Sequence, residues 1–497
     1  VILDMTDEAS RTATDANNPT GATDATDASV ATDATISNSM AGATRSISQR
    51  EGFPLLTDPV STDAASLFAE NLRRGAKPSA EWMCGVEFEL FGYDARRSLA
   101  RLDPQQVQRV LAGFAPSSND LVYEGGTLIE VNAGQMNRLT VEPGGQIEFS
   151  GAPQRKLADV EREIRRYLAR LAEVAEGHGF VFLACGFDPL RTLAEQQWYP
   201  KSRYEVMRPY LARRGARAWD MMTRTCAVQT NLDFGDEEDL RKKFLVGNRL
   251  APIVTAIFAN SPFQEGAPSG YKSTRAAAWL ATDADRTLIS PPALDDDFTP
   301  ERFVAYALNV PMLFAQRDSI YLDAPTGTRF GDFLAGNCAG VAPHFGDWAD
   351  HLTTIFTDAR LKQHIELRGA DCGDAESALA LQALWKGLLY DADALDEALR
   401  LAPRLDLAAS IELREQVARR ALEARVDHVN VGALAKEIVA VAAEGLRRVE
   451  PDEVHYLDEL RARVVEEEVT PADILLRNFH GGWHGSIQRV VEHLRIA

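Results

Sequence analysis

The stretch VEPGGQIEFSGAP, residues 141–153, joins a turn to a strand. Pro143-Gly144-Gly145 supplies the turn chemistry, and Gln146-Ile147-Glu148-Phe149-Ser150 alternates polar with apolar residues at the two-residue period of a β-strand. Upstream, GVEFELFGY repeats the pattern, with Glu87 and Glu89 on either side of Phe88. Residues two apart on a strand share a face, roughly 6.6 Å apart at ~3.3 Å per residue. Both strands therefore present an apolar face and a face bearing carboxylates, which is either a solvated face or a place for hard cations.

Around these strands the chain reads as α+β. LADVEREIRRYLARLAEVAEGHG (157–179) has helical spacing at Val160, Ile164, Leu168, Leu171 and Val174 and ends on Gly179. FVFLACGFDPL follows as a buried strand, and TCAVQTNLDF (225–234) as an alternating one. A long helix is expected over EEDLRKKFLVGNRLAPIVTAIFANSP despite an internal Pro, and the last third is mainly helical. Helices separate the strands irregularly, so a regular βαβ wheel is not expected. Residues 1–45 repeat Ala-Thr-Asp and contain almost nothing large and apolar. Such a segment cannot offset its ordering entropy by burial. A disordered tail over 1–45 and a single catalytic domain over 46–497 are expected, with activity unchanged when the tail is removed.

The net charge of −20 excludes non-specific nucleic-acid binding, which needs a basic footprint. Five cysteines without a CxxC pair fit a reducing compartment, and no apolar run is long enough to span a membrane. A cytoplasmic enzyme acting on small molecules, as monomer or homodimer, is the expectation.

The polar residues form sets. Glu87, Glu89 and Glu148 are hard oxygen donors on strands, as divalent cations require. Gln229 and Asn231 repeat the two-residue spacing with neutral oxygens, and HIELRGAD puts Glu366 and Arg368 on one face. Lys201, Arg203, Arg224, Arg275 and Arg286 lie beside aromatics and threonines, where a planar guanidinium suits a carboxylate or phosphate. There is no Walker loop and no Rossmann fingerprint. Ser269-Gly-Tyr-Lys272 fits SxxK without its companion motifs, and His480 and His484 sit at a Gly-rich turn as structural residues.

Together VEPGGQIEFSGAP, RYEVMRPY, DMMTRTCAVQTNLDF, PIVTAIFANSPF, HLTTIFTDARLKQHIELRGAD and TPADILLRNFHGGW resemble, in order, glutamate–cysteine ligases of the plant and proteobacterial type. The resemblance runs from about Gly52 to the C-terminus. It implies a glutamine-synthetase-like fold, a curved antiparallel sheet forming an open barrel surrounded by helices. It also implies Mg²⁺ as cofactor and ATP, L-glutamate and L-cysteine as substrates, joined through a γ-glutamyl phosphate in the first step of glutathione synthesis. By the resemblance, Glu87, Glu89, Glu148 and Glu366 are metal ligands, with Gln229 and Asn231 as additions. Arg368 faces the transferring phosphate or the glutamate carboxylate. Arg224, Arg275 and Trp279 hold glutamate, and Lys201, Arg203 and Tyr204 form a substrate or nucleotide loop. A sister ligase using another amine is the alternative.

Two departures stand out. Plant members carry His between the paired glutamates where this chain has Phe88, which is expected to point away from the metal. Plant members also carry a cysteine pair across a hairpin. Here Ala324 stands near the first position and Cys338 near the second, so no redox-controlling disulfide is expected there.

Overall fold

Alternation along the chain builds the sheet. The computed structural model describes residues 62–134, 137–317, 320–336 and 341–497; the tail over 1–45 and Cys338 lie outside them. Ten strands make one antiparallel sheet: β1 (Cys84–Asp94), β2 (Ala100–Arg101), β3 (Leu121–Glu124), β4 (Thr127–Asn132), β5 (Arg138–Val141), β6 (Ile147–Ser150), β7 (Phe180–Leu183), β8 (Ala227–Leu232), β9 (Ala359–Leu361) and β10 (Ile365–Asp371). The order is β9-β10-β8-β1-β6-β5-β4-β3. β1 is long enough to serve twice. Its first half lies between β6 and β8, and its second half pairs with β2 and β7.

On β1, Val86, Phe88 and Leu90 are buried, while Glu87 and Glu89 face the other way and are half-buried. β6 repeats this with Ile147 and Phe149 inside and Glu148 and Ser150 on the polar face. The helix Leu157–His178 covers the apolar face: Tyr167 stacks on Phe149 at 4.6 Å and meets Phe88 edge-on at 6.3 Å. Phe88 is thus a core residue pointing away from the acids, as expected. Each such side chain contributes about 1.5–3 kcal/mol on burial. A one-residue slip would forfeit that and push Glu87 and Glu89 into the core, so the register is strongly specified.

The expected elements form with trimmed ends. The helix from Leu157 stops at Gly179, whose φ of 71° takes the left-handed cap. The helix Glu237–Ile257 carries Pro252 internally and is buried along most of its length, so packing holds it together. The C-terminal third is helical, with Ala375–Leu389, Leu407–Arg420 and Val431–Val449 its longest members. The architecture is α+β, with helices around a large antiparallel sheet.

Four described cysteines, Cys84, Cys185, Cys226 and Cys372, are free and buried. Burial pushes the Cys84 thiol up to about 12 and the other three well above their ordinary value. In a Cys338→Ser protein, thiol reagents should therefore react slowly before denaturation and with four equivalents after it. A fast native-state equivalent would contradict this burial.

Near the polar face, the helix Phe345–Leu352 carries His351, buried with its Nε2 2.9 Å from the Ala307 carbonyl and its ring 4.4 Å from Phe330. Burial lowers its pKa from 6.5 to about 3. The folded state therefore holds the imidazole neutral. The stability this contributes is complete above pH 6.5 and is lost as pH falls toward 3. Unfolding free energy should drop by about 1.4 kcal/mol per pH unit from this group across that window. Denaturant titrations from pH 7 to pH 4 check it, and His351→Gln should flatten the slope.

Candidate active site

A cavity of about 300 Å³ opens on the polar face of the sheet. Its acidic wall is Glu87 and Glu89 from β1, Glu148 from β6, and Glu142 from the turn before β6. Pairing sets their spacing: Glu89 lies opposite Glu148, and Thr140 of β5 flanks Glu148 on the other side. Neutral donors hold Glu87, Glu89 and Glu148. Glu87 accepts from Asn231 Nδ2 at 3.0 Å, and Glu89 from the Ala227 amide at 2.8 Å and Gln229 Nε2 at 3.1 Å. Glu148 accepts from Thr140 Oγ1 at 2.9 Å and Ser150 Oγ at 3.3 Å.

These donors do not neutralise the wall. Burial raises Glu89 to about 8, aided by the charge of Glu142. Burial, and then Glu87, Glu142 and Glu89, lift Glu148 well above the carboxylate range. Burial and then Glu366 raise Glu87. Among the described residues no three acidic, His or Cys side chains already converge as a metal cage. The donor set nevertheless fits a hard divalent cation: oxygen ligands on neighbouring strands, whose protons a bound cation would displace.

The facing wall is basic. Arg360, Lys362 and Arg368 line it and all grip Glu366, which is fully buried beneath them. Arg360 donates to Glu366 at 2.5 and 3.2 Å, Lys362 lies at 2.8 Å, and Arg368 bonds the same carboxylate. Burial opposes ionisation of Glu366, but Arg360, Lys362 and Arg368 overcome it and hold the carboxyl well below the usual range.

Several expected residues are engaged by protein neighbours in this ligand-free structure. Glu366, expected as a metal ligand, is the shared anchor of three cations and does not line the cavity. Gln229 does line it, but its oxygen already accepts from Arg368 at 2.6 Å. Asn231 serves Glu87 from outside the cavity. Arg224, expected to hold substrate, is turned instead to Asp220 at 2.9 Å and Glu265 at 3.2 Å, one turn back on its helix and across from it.

The other expected residues do meet here: Lys201, Arg203, Tyr204, Arg275 and Trp279 all line the cavity. Arg203 donates to Thr353 Oγ1 at 2.9 Å, and Arg275 to the carbonyls of Arg368 and Gly369 at 2.8 and 3.2 Å. These acceptors are neutral and leave the guanidinium charge for an anion. Trp279 Nε1 is buried without a partner. Tyr204 spends its hydroxyl on the Val141 carbonyl at 2.6 Å. The SxxK pair lies elsewhere, with Lys272 bound to Asp473 at 2.7 Å. Glu142, Arg360 and Lys362 are the residues that sequence reasoning missed. All three continue a two-residue alternation, Thr140 to Glu142 and Arg360 to Lys362, which could have revealed them.

Residues 83–493 match the family model described as Glutamate-cysteine ligase family 2 (GCS2). The chain belongs to this glutamate–cysteine ligase family. It is 40% identical over 427 residues to the chloroplastic glutamate–cysteine ligase of Medicago truncatula, covering 85% of this chain and 83% of that one. Glutamate–cysteine ligase B, chloroplastic, of Oryza sativa subsp. japonica is 38% identical over 457 residues, 91% of either chain. A crystal structure of glutamate–cysteine ligase from Francisella tularensis in complex with AMP superposes with a TM-score of 0.50 at 14% identity. It covers 80% of this chain and 85% of that one, a likeness of fold. The family match takes in both walls of the cavity, from Glu87 to Arg368.

Proposed function

We propose that the chain is an ATP-dependent glutamate–cysteine ligase, joining the γ-carboxyl of L-glutamate to the amine of L-cysteine in the first step of glutathione synthesis. One observation carries the reading: a single cavity sets four carboxylates against a wall of arginines and lysines. Phosphoryl transfer is mainly positioning and charge stabilisation, so it needs such walls and no covalent nucleophile.

Glu87, Glu89, Glu142 and Glu148 would hold magnesium. When bound, magnesium supplies the positive charge that brings phosphate oxygens to an acidic surface. Arg368, Arg360 and Lys362 face the phosphates from the other wall, and Glu366 keeps the three cations fixed. Arg275 and Arg203 take the carboxylates of glutamate, with Trp279 Nε1 as a further donor, and Lys201 borders the same space. In the first step a γ-carboxylate oxygen bonds to the terminal phosphorus and ADP leaves. In the second, the cysteine nitrogen bonds to the acyl carbon, phosphate leaves and the amine gives up a proton. The sheet is taken to curve into the open barrel of glutamine-synthetase-like ligases. The compartment proposed is the cytoplasm, which suits the free thiols, and the assembly a monomer or homodimer.

Phosphate release and product mass test this with ATP, magnesium and glutamate, with and without cysteine. Sustained phosphate release should need all four and yield γ-glutamylcysteine. Turnover with another amine but not cysteine would assign a sister ligase, and no ATP turnover would overturn the enzyme reading.

A further inference from the structure

Outside the lining of the cavity lies a buried ion pair, Arg101 with Asp188. Arg101 on β2 is buried, and every nitrogen of its guanidinium is spent. Nε donates to the Gly92 carbonyl at 3.2 Å, Nη1 to Asp188 Oδ2 at 3.3 Å, and Nη2 to the Gly144 carbonyl at 3.0 Å. The guanidinium also lies 4.8 Å from the ring centre of Phe91 and 5.4 Å from that of Tyr93. Asp188, fully buried, accepts from Tyr93 Oη, the Leu190 and Arg191 amides, and Gln196 Nε2, at 2.8 to 3.0 Å. Its own amide donates to the Arg224 carbonyl at 2.9 Å.

The segments meeting at this pair all run into the cavity wall. Gly144 belongs to the turn that carries Glu142, Gly92 to the strand that carries Glu87 and Glu89, and Gln196 to the segment leading to Lys201. The turn also packs closely. A Cβ at Gly144 would sit 2.5 Å from the Thr223 carbonyl oxygen, and the Gln146 side chain ties the Gly144 amide to the Thr225 carbonyl. Glu142 is placed in the wall by this turn: its amide donates to the Gln146 carbonyl and its carbonyl accepts from the Gly145 amide, both at 2.9 Å.

We propose that the Arg101–Asp188 pair is a positioning device for the reaction, clamping the Gly144 carbonyl and so holding Glu142 in the acidic wall before any ligand arrives. Three bonds in one plane require a guanidinium; an ammonium on a flexible stem cannot reach all three acceptors. This proposal rests on the ligase reading of the cavity, and the two are tested separately.

Arg101→Lys is compared with wild type and with Lys386→Met, which breaks another buried pair, Lys386–Glu453, away from the cavity. Hydrogen exchange of the turn 142–146 is read without ligands, and Mn²⁺ affinity by electron paramagnetic resonance. In Arg101→Lys the turn should exchange about tenfold faster and Mn²⁺ affinity should fall about tenfold or more; Lys386→Met should change neither. If Arg101→Lys does not fold, Asp188→Asn replaces it with the same expectation. Unchanged exchange in the folded variant overturns the clamp, as does faster exchange with wild-type Mn²⁺ affinity. Wild-type protein that binds no Mn²⁺ overturns the metal reading instead, and the clamp then stands or falls on exchange alone.

Discussion

Arg368→Lys should lower kcat by about 10²–10³-fold and leave the melting temperature close to that of the wild type. With one nitrogen, Nη1, Arg368 meets both Glu366 and, at 2.6 Å, Gln229. The rest of the planar fork is then left for a phosphate or carboxylate in the cavity that Arg368 lines. Lysine keeps the charge that Glu366 needs, so the wall survives, but it cannot serve Glu366 and substrate from one rigid plane. Steady-state kinetics alongside thermal melts decide the matter. Retention of most of the wild-type kcat would make Arg368 a partner of Glu366 and nothing more.

Glu148→Gln should move stability and activity in opposite directions. In metal-free buffer at pH 8 the variant should melt higher than wild type, while its magnesium requirement rises at least about tenfold and its turnover falls. Burial and three neighbouring carboxylates raise the folded pKa of Glu148 well above 4.5. For an acid raised in this way, the unfolded chain gives up its proton first. Stability is complete below the unfolded value and declines as pH climbs toward the folded one. Glutamine removes that decline, so the two proteins should converge near pH 4 in chelator and separate as pH rises. Magnesium should stabilise wild type more than the variant. A variant that melts lower at pH 8, or that responds to magnesium like wild type, would deny Glu148 a place among the ligands.

Local order was readable from the chain. Alternation put Glu87 and Glu89 on one face and Phe88 on the other, because a strand has only two faces. The helix over Leu157–His178 announced both its apolar stripe and its Gly179 stop. Partnership between distant strands was harder. Glu366 and Arg368 share a face by spacing, but only the pairing of β9 with β10 brings Arg360 opposite Glu366 and gives that carboxylate its cation partners. For Arg224 the sequence also offered a partner that the spacing argument left unused: Asp220, one helical turn back. Glu142 lies one alternation step beyond Thr140, at the start of the turn, and reading the strand pattern on into the turn would have reached it. The resemblance grouped Lys201, Arg203, Tyr204, Arg275 and Trp279 with the acids, while local pattern alone would have found the acidic strands.

The double service of β1 has a practical consequence for how this protein wears out. Glu87 lies opposite Ser150 on one side and Gln229 on the other, and Phe88 lies between Phe149 and Val228. The strand bearing two of the acids is locked into the centre of the sheet and cannot peel away as a lid or an edge can. Heating should therefore give no partly unfolded species with only this strand displaced, and inactivation should follow the same curve as melting. Half-life at high temperature then becomes a property of the whole core, open to improvement by substitutions remote from the chemistry.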